Sequence, residues 1–207
     1  MYRLAIFDFD GTLADTFPWF VEVFNGVADR YRFRRIEPGE LEALRGCEGR
    51  AMMRHLGIRG WKVPFIANHM RRLAARDIDR LRLFDGTAPL LRRLKEKGVT
   101  VAIVSSNAEA NVRRVLGPEN AALVAHYACG ASIFGKHGKF RTVIARSGVP
   151  PGRTIAIGDE IRDIEAARRA GIACGAVTWG YALPEALKAH GPDALFGSFQ
   201  EIAERVG

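Results

Sequence analysis

The sequence predicts an α/β fold: a parallel sheet covered by helices on both faces, interrupted after its first strand by an all-helical insertion. Three observations carry that expectation. Short apolar runs that stop at glycine or at small polar residues recur along the chain, as the buried strands of a parallel sheet do. Helical patterns lie between those runs and close on a glycine, the residue that tolerates the left-handed turn after a helix. Residues 16–85 break the alternation, with helical periodicity and no convincing strand.

In chain order, Leu4-Ala5-Ile6-Phe7-Asp8-Phe9-Asp10 is an apolar run halted by Gly11-Thr12, which reads as the first strand. In the insertion, Phe20, Phe24 and Val27 recur at helical spacing, followed by Leu41 and Leu44, then Met52, Met53 and Leu56, then Ile66, Met70 and Leu73. These residues make a lobe of their own, so the expected domains are a core of 1–15 and 86–207 and an insert of 16–85. Pro89–Lys97 then reads as a helix ending at Gly98, and Val99–Val104 as the second long strand. A helix over Arg141–Arg146 ends at Ser147-Gly148, before a strand at Thr154–Ile157. A helix over Ile161–Ala170 ends at Gly171, before a strand at Ala173–Thr178 and a last short one at Asp193–Phe196.

Composition narrows the class. With 207 residues, 48% apolar and 26% charged, the chain has material for a sizeable core, which excludes a disordered tail, a fibre or a disulfide miniprotein. No apolar run approaches the ~20 residues a membrane span requires. Asp8 and Asp10 stand where a secretion signal needs its apolar stretch. Cys47, Cys129 and Cys174 are odd in number and without metal-ligand spacing, as expected of free thiols in a reducing cytoplasm. The formal charge of +8 suits nucleic acid, an anionic surface or anionic small molecules.

Ligands of a parallel sheet bind beyond the carboxyl ends of its strands, so the residues that follow each strand form the candidate site. Asp8, Asp10, Gly11 and Thr12 follow the first strand, and Ser105, Ser106 and Asn107 the second. Gly158, Asp159, Glu160 and, one turn on, Asp163 follow the next. So many carboxylates in one place repel one another unless a cation is present. An all-oxygen set suits Mg²⁺, which takes carboxylates, water and phosphate oxygens. Lys136 and Lys139, just ahead of a helix, are placed to neutralise phosphate or an attacking aspartate.

These residues resemble a known family. Phe7-Asp8-Phe9-Asp10-Gly11-Thr12-Leu13-Ala14-Asp15-Thr16 is similar to the first motif of the haloacid dehalogenase-like (HAD) hydrolase superfamily, DxDGT-L-x-D-T. Ile103-Val104-Ser105 resembles its second motif, and Lys136 or Lys139 its third. Ile157-Gly158-Asp159-Glu160-Ile161-Arg162-Asp163 resembles the fourth, GDxxxD. The nearest-looking branch is that of the phosphoglycolate phosphatases, although Gly135-Lys136-His137-Gly138-Lys139 lacks the prolines common in that branch's third motif. The resemblance implies a Rossmann-like parallel sheet core with an inserted α-helical cap of the C1 type. It also implies a phosphatase acting on a small phosphorylated metabolite, phosphoglycolate-like or a sugar phosphate. In that reading Asp8 is the nucleophile and Asp10 the general acid and base, with Thr12 orienting Asp10. Ser105, Ser106, Asn107 and the lysine hold phosphoryl oxygens, and Asp8, Asp10, Asp159 and Asp163 bind Mg²⁺. Arg45 and Arg50, flanking Gly46-Cys47-Glu48-Gly49 between two insert helices, are candidates to read the substrate.

The rival enzyme is a phosphomutase of the β-phosphoglucomutase kind; the rival from another class is a non-catalytic, RNA-associated or regulatory protein. A phosphonate hydrolase needs a Schiff-base lysine, and Lys62 is the only lysine of the insert. A dehalogenase lacks the second aspartate, which is present here as Asp10. The non-catalytic reading is disfavoured because every catalytic position is filled, and charge bears on the partner: residues 16–85 hold 14 Lys+Arg against 9 Asp+Glu. The basicity gathers in the lobe expected over an anionic substrate, so a small phosphorylated molecule is the expected partner rather than nucleic acid or a membrane. Nothing in the sequence indicates the oligomeric state.

Overall fold

The computed structural model describes residues 1–130 and 135–207. Its elements run β1 (Leu4–Phe7), β2 (Ala14–Asp15), α1 (Phe17–Tyr31), α2 (Leu41–Arg45), α3 (Gly49–His55), α4 (Val63–Arg76), β3 (Arg82–Leu83), α5 (Thr87–Glu96) and β4 (Thr100–Ile103). They continue with α6 (Glu109–Ala121), β5 (His126–Tyr127), α7 (Lys136–Ser147), β6 (Thr154–Gly158), α8 (Ile161–Ala170), β7 (Ala173–Val177), α9 (Pro184–Ala189), β8 (Ala194–Phe196) and α10 (Phe199–Val206). Six strands form one sheet in the order β5-β4-β1-β6-β7-β8, every pair parallel. This is the Rossmann-like order, in which the chain leaves the central strand to one side and later returns to the other.

The strand period of two sorts the core into layers. Ala5, Phe7, Val101, Ile103, Ile155 and Ile157 pack on one face with Leu91 and Leu94 of α5, Val112 of α6 and Ile202 of α10. Leu4, Ile6, Ala102 and Ala156 pack on the other with Phe140 and Val143 of α7 and Ile164 and Ala167 of α8. Each large side chain buried this way contributes about 2 kcal/mol. Strands buried on both faces must be apolar throughout, which explains their continuous hydrophobic runs. The helices α1 to α4 rest on two smaller clusters, one around Trp19, Ala74, Ile78 and Leu81 and one around Phe24, Leu44 and Leu56.

Two expectations need correcting, and one element was not expected. Residues 16–85 do contain a strand, since Arg82–Leu83 pairs antiparallel with Ala14–Asp15. A two-residue strand is too short to show alternation, and Arg82 is exposed. The helix expected at Arg141 begins at Lys136, so Lys136 lies in its first turn and not ahead of it. His137 and Gly138 hide that start, because neither favours a helix interior. Helix α6 carries no readable sequence signal because Gly117-Pro118 interrupts it, with Gly117 at φ 73° and ψ 164°.

Candidate active site

The site lies at the carboxyl ends of β1, β4 and β6, the three central strands. Asp8 directly follows β1. Its backbone N–H donates to the Ile157 carbonyl at 2.8 Å, and its Oδ1 accepts the Phe9 N–H at 2.8 Å. Its Oδ2 lies 2.7 Å from Lys136 Nζ. The same ammonium lies 2.6 Å from Asp163 Oδ1, so one buried cation bridges two buried carboxylates. Asp163 is placed by the helix start: its Oδ2 accepts the Glu160 N–H at 3.1 Å, one half of a capping box that opens α8. Gly158 is required here, because a Cβ at that position would collide with the Asp163 carboxylate.

Asp159 is fully buried. Its Oδ1 accepts from Thr12 Oγ1 at 2.7 Å and its Oδ2 from the Tyr181 N–H at 2.8 Å. The Thr12 hydroxyl therefore orients Asp159, not Asp10 as the motif implies. Gly11, at φ +77°, lets the chain turn against Asp159, where a side chain would strike its carboxylate. Carboxylate oxygens of Asp8, Asp159 and Asp163 lie within 4.8 Å of one another. An all-oxygen, buried, acidic set fits a hard divalent cation such as Mg²⁺ and lacks the thiolates or imidazoles that favour softer metals.

The Asp10 carboxylate faces the end of β4. Asn107 Nδ2 donates to both of its oxygens at 3.3 Å, and Ser105 Oγ lies 3.5 Å from Oδ2. Ser105 Oγ also accepts the Asn107 N–H at 3.0 Å. Asn107 is held in turn by Asn111, whose Nδ2 donates to Asn107 Oδ1 at 3.0 Å. Ser106 turns its carbonyl to Arg71 Nη1 at 3.3 Å.

Burial is the leading influence on these groups. It raises the pKa of Asp8, with Lys136 opposing. Asp10 is pushed up to about 6, by burial first and by the Asp8 charge second. A carboxyl near that value can hold a proton and also release it at neutral pH. Asp159 rises well above the usual range through burial, Glu160 and Asp8. For Lys136 burial opposes the charge, but Asp163 and Asp8 outweigh it and keep the ammonium protonated.

The remaining candidates separate. Lys139 is half-buried one turn along α7 and, among the described residues, takes no part in the carboxylate cluster. Arg45 donates from Nε to the Tyr181 carbonyl at 2.9 Å and from Nη2 to the Gly180 carbonyl at 3.0 Å, while its guanidinium stacks on Phe17. It straps α2 to the loop after β7. Arg50 lines a cleft that reaches Asp10 and Lys136. Two further residues also line that cleft: Tyr181, which the sequence offers as lining the site mouth or as an aromatic packed under a loop, and Arg162. Tyr181 meets Thr16 Oγ1 through its hydroxyl at 3.1 Å. Arg162 pairs with Glu160 through Nη2. The Arg162 signal was present, as a cation inside an acidic motif.

A sheet of this order with a buried carboxylate–lysine cluster at its switch point defines a Rossmann-like enzyme. A family model for the haloacid dehalogenase-like hydrolases matches residues 5–177. The chain is 32% identical over 205 residues to a phosphoglycolate phosphatase of Synechococcus elongatus, spanning 99% of this chain and 97% of that protein. It is 30% identical over 186 residues to the tyrosine-protein kinase PtkA of Mycobacterium tuberculosis, spanning 86% of this chain and 63% of that protein. Among solved structures, a predicted phosphatase from Clostridium acetobutylicum matches with a TM-score of 0.83 at 18% identity, over 100% of this chain and 98% of that one, which bears on the fold alone. The chain belongs to the haloacid dehalogenase-like hydrolase family and stands with its phosphatases. Among the described residues, no helix is long and apolar enough to cross a membrane.

Proposed function

We propose that the protein is a Mg²⁺-dependent phosphatase that hydrolyses a small phosphorylated metabolite through an aspartyl phosphate on Asp8. The observation that carries this reading is the bridge Asp8–Lys136–Asp163 beside Asp159. It is a buried aspartate paired with a buried lysine, next to an oxygen cage for a hard cation. Asp8, Asp159, Asp163 and Asp10 would hold Mg²⁺, which when bound supplies positive charge against the phosphoryl group.

The protein's own groups supply the rest. A carboxylate oxygen of Asp8 attacks phosphorus, the bond to the alcohol oxygen breaks, and that oxygen takes the Asp10 proton. The Asp10 carboxylate then accepts a proton from water as the water oxygen attacks phosphorus. Inorganic phosphate leaves, the Asp8 carboxylate is regenerated and Asp10 is protonated again. Ser105, Asn107 and Lys136 donate to phosphoryl oxygens, with Ser106 and Lys139 at the margin of that set. Residues 16–85 act as the cap over a core of 1–15 and 86–207, and Arg50 faces the substrate from that cap. The expected setting is the cytoplasm. The names of the two relatives agree on phosphoryl transfer and differ in the group it is exchanged with. They therefore support the phosphoryl end of this reading and leave the leaving group to this chain's own residues.

The test is phosphate release from a panel of phosphomonoesters by the purified protein with Mg²⁺ and no bisphosphate activator. Turnover is expected, and Asp8→Asn should reduce it by a factor on the order of 10³ or more. An Asp8→Asn variant of unchanged activity overturns the mechanism, and a requirement for a bisphosphate activator favours the mutase.

A further inference from the structure

A cleft of about 600 Å³ begins at Asp10 and Lys136 and runs along α1, α3 and α4. Its two ends differ in chemistry. The floor is polar: Asp10, Lys136, Asn107 and the Glu160–Arg162 pair. The long wall is mostly apolar, with Trp19, Phe20, Met52, Met53, Ile66 and Met70, and Glu48, Arg50 and Arg71 also line the cleft from the cap. Of the apolar residues, the three methionines, Phe20 and Ile66 are only half-buried. They present apolar surface to the cleft in place of packing fully into the clusters behind them. Unbranched thioethers adapt to varied apolar shapes at little strain. Arg71, one of the cations on this side, is engaged with the Ser106 carbonyl at 3.3 Å.

A two-carbon acid does not suit this space. Once its phosphoryl end rests on Asp8 and Lys136, a two-carbon body leaves the length of the cleft along α1, α3 and α4 to water against apolar walls, which is unfavourable. A volume near 600 Å³ is that of a site for a ligand several times larger. Resting on the phosphatase reading, we infer that the substrate is the phosphate monoester of a sizeable apolar alcohol, with the phosphoryl group on the polar floor and an alkyl or aryl body along α1, α3 and α4. The cleft wall, by this inference, discriminates by apolar contact, whereas the floor is common to any phosphate ester.

The experiment measures binding separately from turnover. Alkylphosphonates from ethyl to hexyl, and phosphonoacetate as the two-carbon acid, are titrated calorimetrically into the protein with Mg²⁺. Affinity should rise two- to fourfold with each added methylene, and phosphonoacetate should bind more weakly than hexylphosphonate. A series that changes less than twofold from ethyl to hexyl overturns the inference, as does preferred binding of phosphonoacetate. Met53→Lys, on a half-buried position of that wall, should flatten the chain-length dependence. An undiminished slope in the folded variant would move the alkyl group elsewhere and overturn the placement. Should that variant fail to fold, the unmodified protein's series decides alone. Phosphate release from ethyl and hexyl phosphate is read in parallel. Its absence counts against the phosphatase reading, while the phosphonate slope still decides the chemistry of the cleft.

Discussion

The ends of β1, β4 and β6 and the helices that face them are built on opposite principles. At the sheet, nearly every polar atom is committed: Asp8, Asp159 and Asp163 each have their oxygens engaged by named donors. Across the cleft, α2 and α3 are short, the helix starts carry no side-chain cap bonds, and methionines stand half-buried. A charge cluster in low dielectric tolerates little displacement, because an unpaired charge there is expensive. An apolar wall tolerates a good deal, because dispersion contacts are individually small. The difference teaches that the sheet ends hold densely paired polar groups, while the helices across the cleft offer apolar surface with few fixed polar contacts.

The sharpest way to break this contrast is to remove the cation from the sheet ends. Lys136→Met leaves Asp8 and Asp163 facing each other without their bridge. The expected loss in kcat/KM is on the order of 10²–10³, the scale of losing one preorganised electrostatic donor. Steady-state assays of a variant with a native far-UV spectrum check this. A loss below tenfold would show that the lysine is a structural tie only.

Glu160 and Arg162 give an intermediate effect. They add one charge of each sign beside the carboxylates, and Arg162 Nε is buried without a hydrogen-bond partner among the described residues. Arg162→Ala should raise KM about tenfold, by leaving the Glu160 charge to repel an anionic substrate. The double change Glu160→Ser with Arg162→Ala should recover most of that loss, with a coupling energy of about 1–2 kcal/mol. Strictly additive effects would show that the pair is not a unit.

The two halves were also unequally legible. Asp8, Asp10, Asp159 and Asp163 stood out because motif chemistry is local: one aspartate two residues from another, one glycine before a helix start. The strands were legible because burial on both faces demands unbroken apolar runs. Lys136 was ambiguous with Lys139, since a stretch of histidine and glycine concealed where α7 begins. Thr12 was assigned to the wrong aspartate, because the partner of its hydroxyl lies 147 residues away. Tyr181 and Arg45 meet across 136 residues, and periodicity carries no information about such pairs. The apolar cleft was readable only as helix faces; that those faces leave a space between them is a property of their packing.

The smallest expected effect concerns how the helical half is anchored. Trp19 of α1 donates from Nε1 to Asp77 Oδ2 at 3.1 Å, and Arg76 Nε donates to Asp77 Oδ1 at 2.7 Å. The Arg76 hydrogen bond first, and the Trp19 bond second, hold the Asp77 carboxyl down at about 2, below the ordinary carboxylate range. A carboxylate whose pKa is depressed by folding adds stability above its unfolded pKa and loses it as pH falls through the folded one. Arg76 is exposed, so solvent screening discounts that contribution. Asp77→Asn should therefore lower Tm by a few degrees at pH 7, and the gap to the unmodified protein should close between about pH 4 and pH 2. Thermal melts across that range provide the measurement. A gap that persists unchanged at pH 2 would mean that the asparagine disturbs the packing of Trp19, and that charge is not what ties α1 to the end of α4.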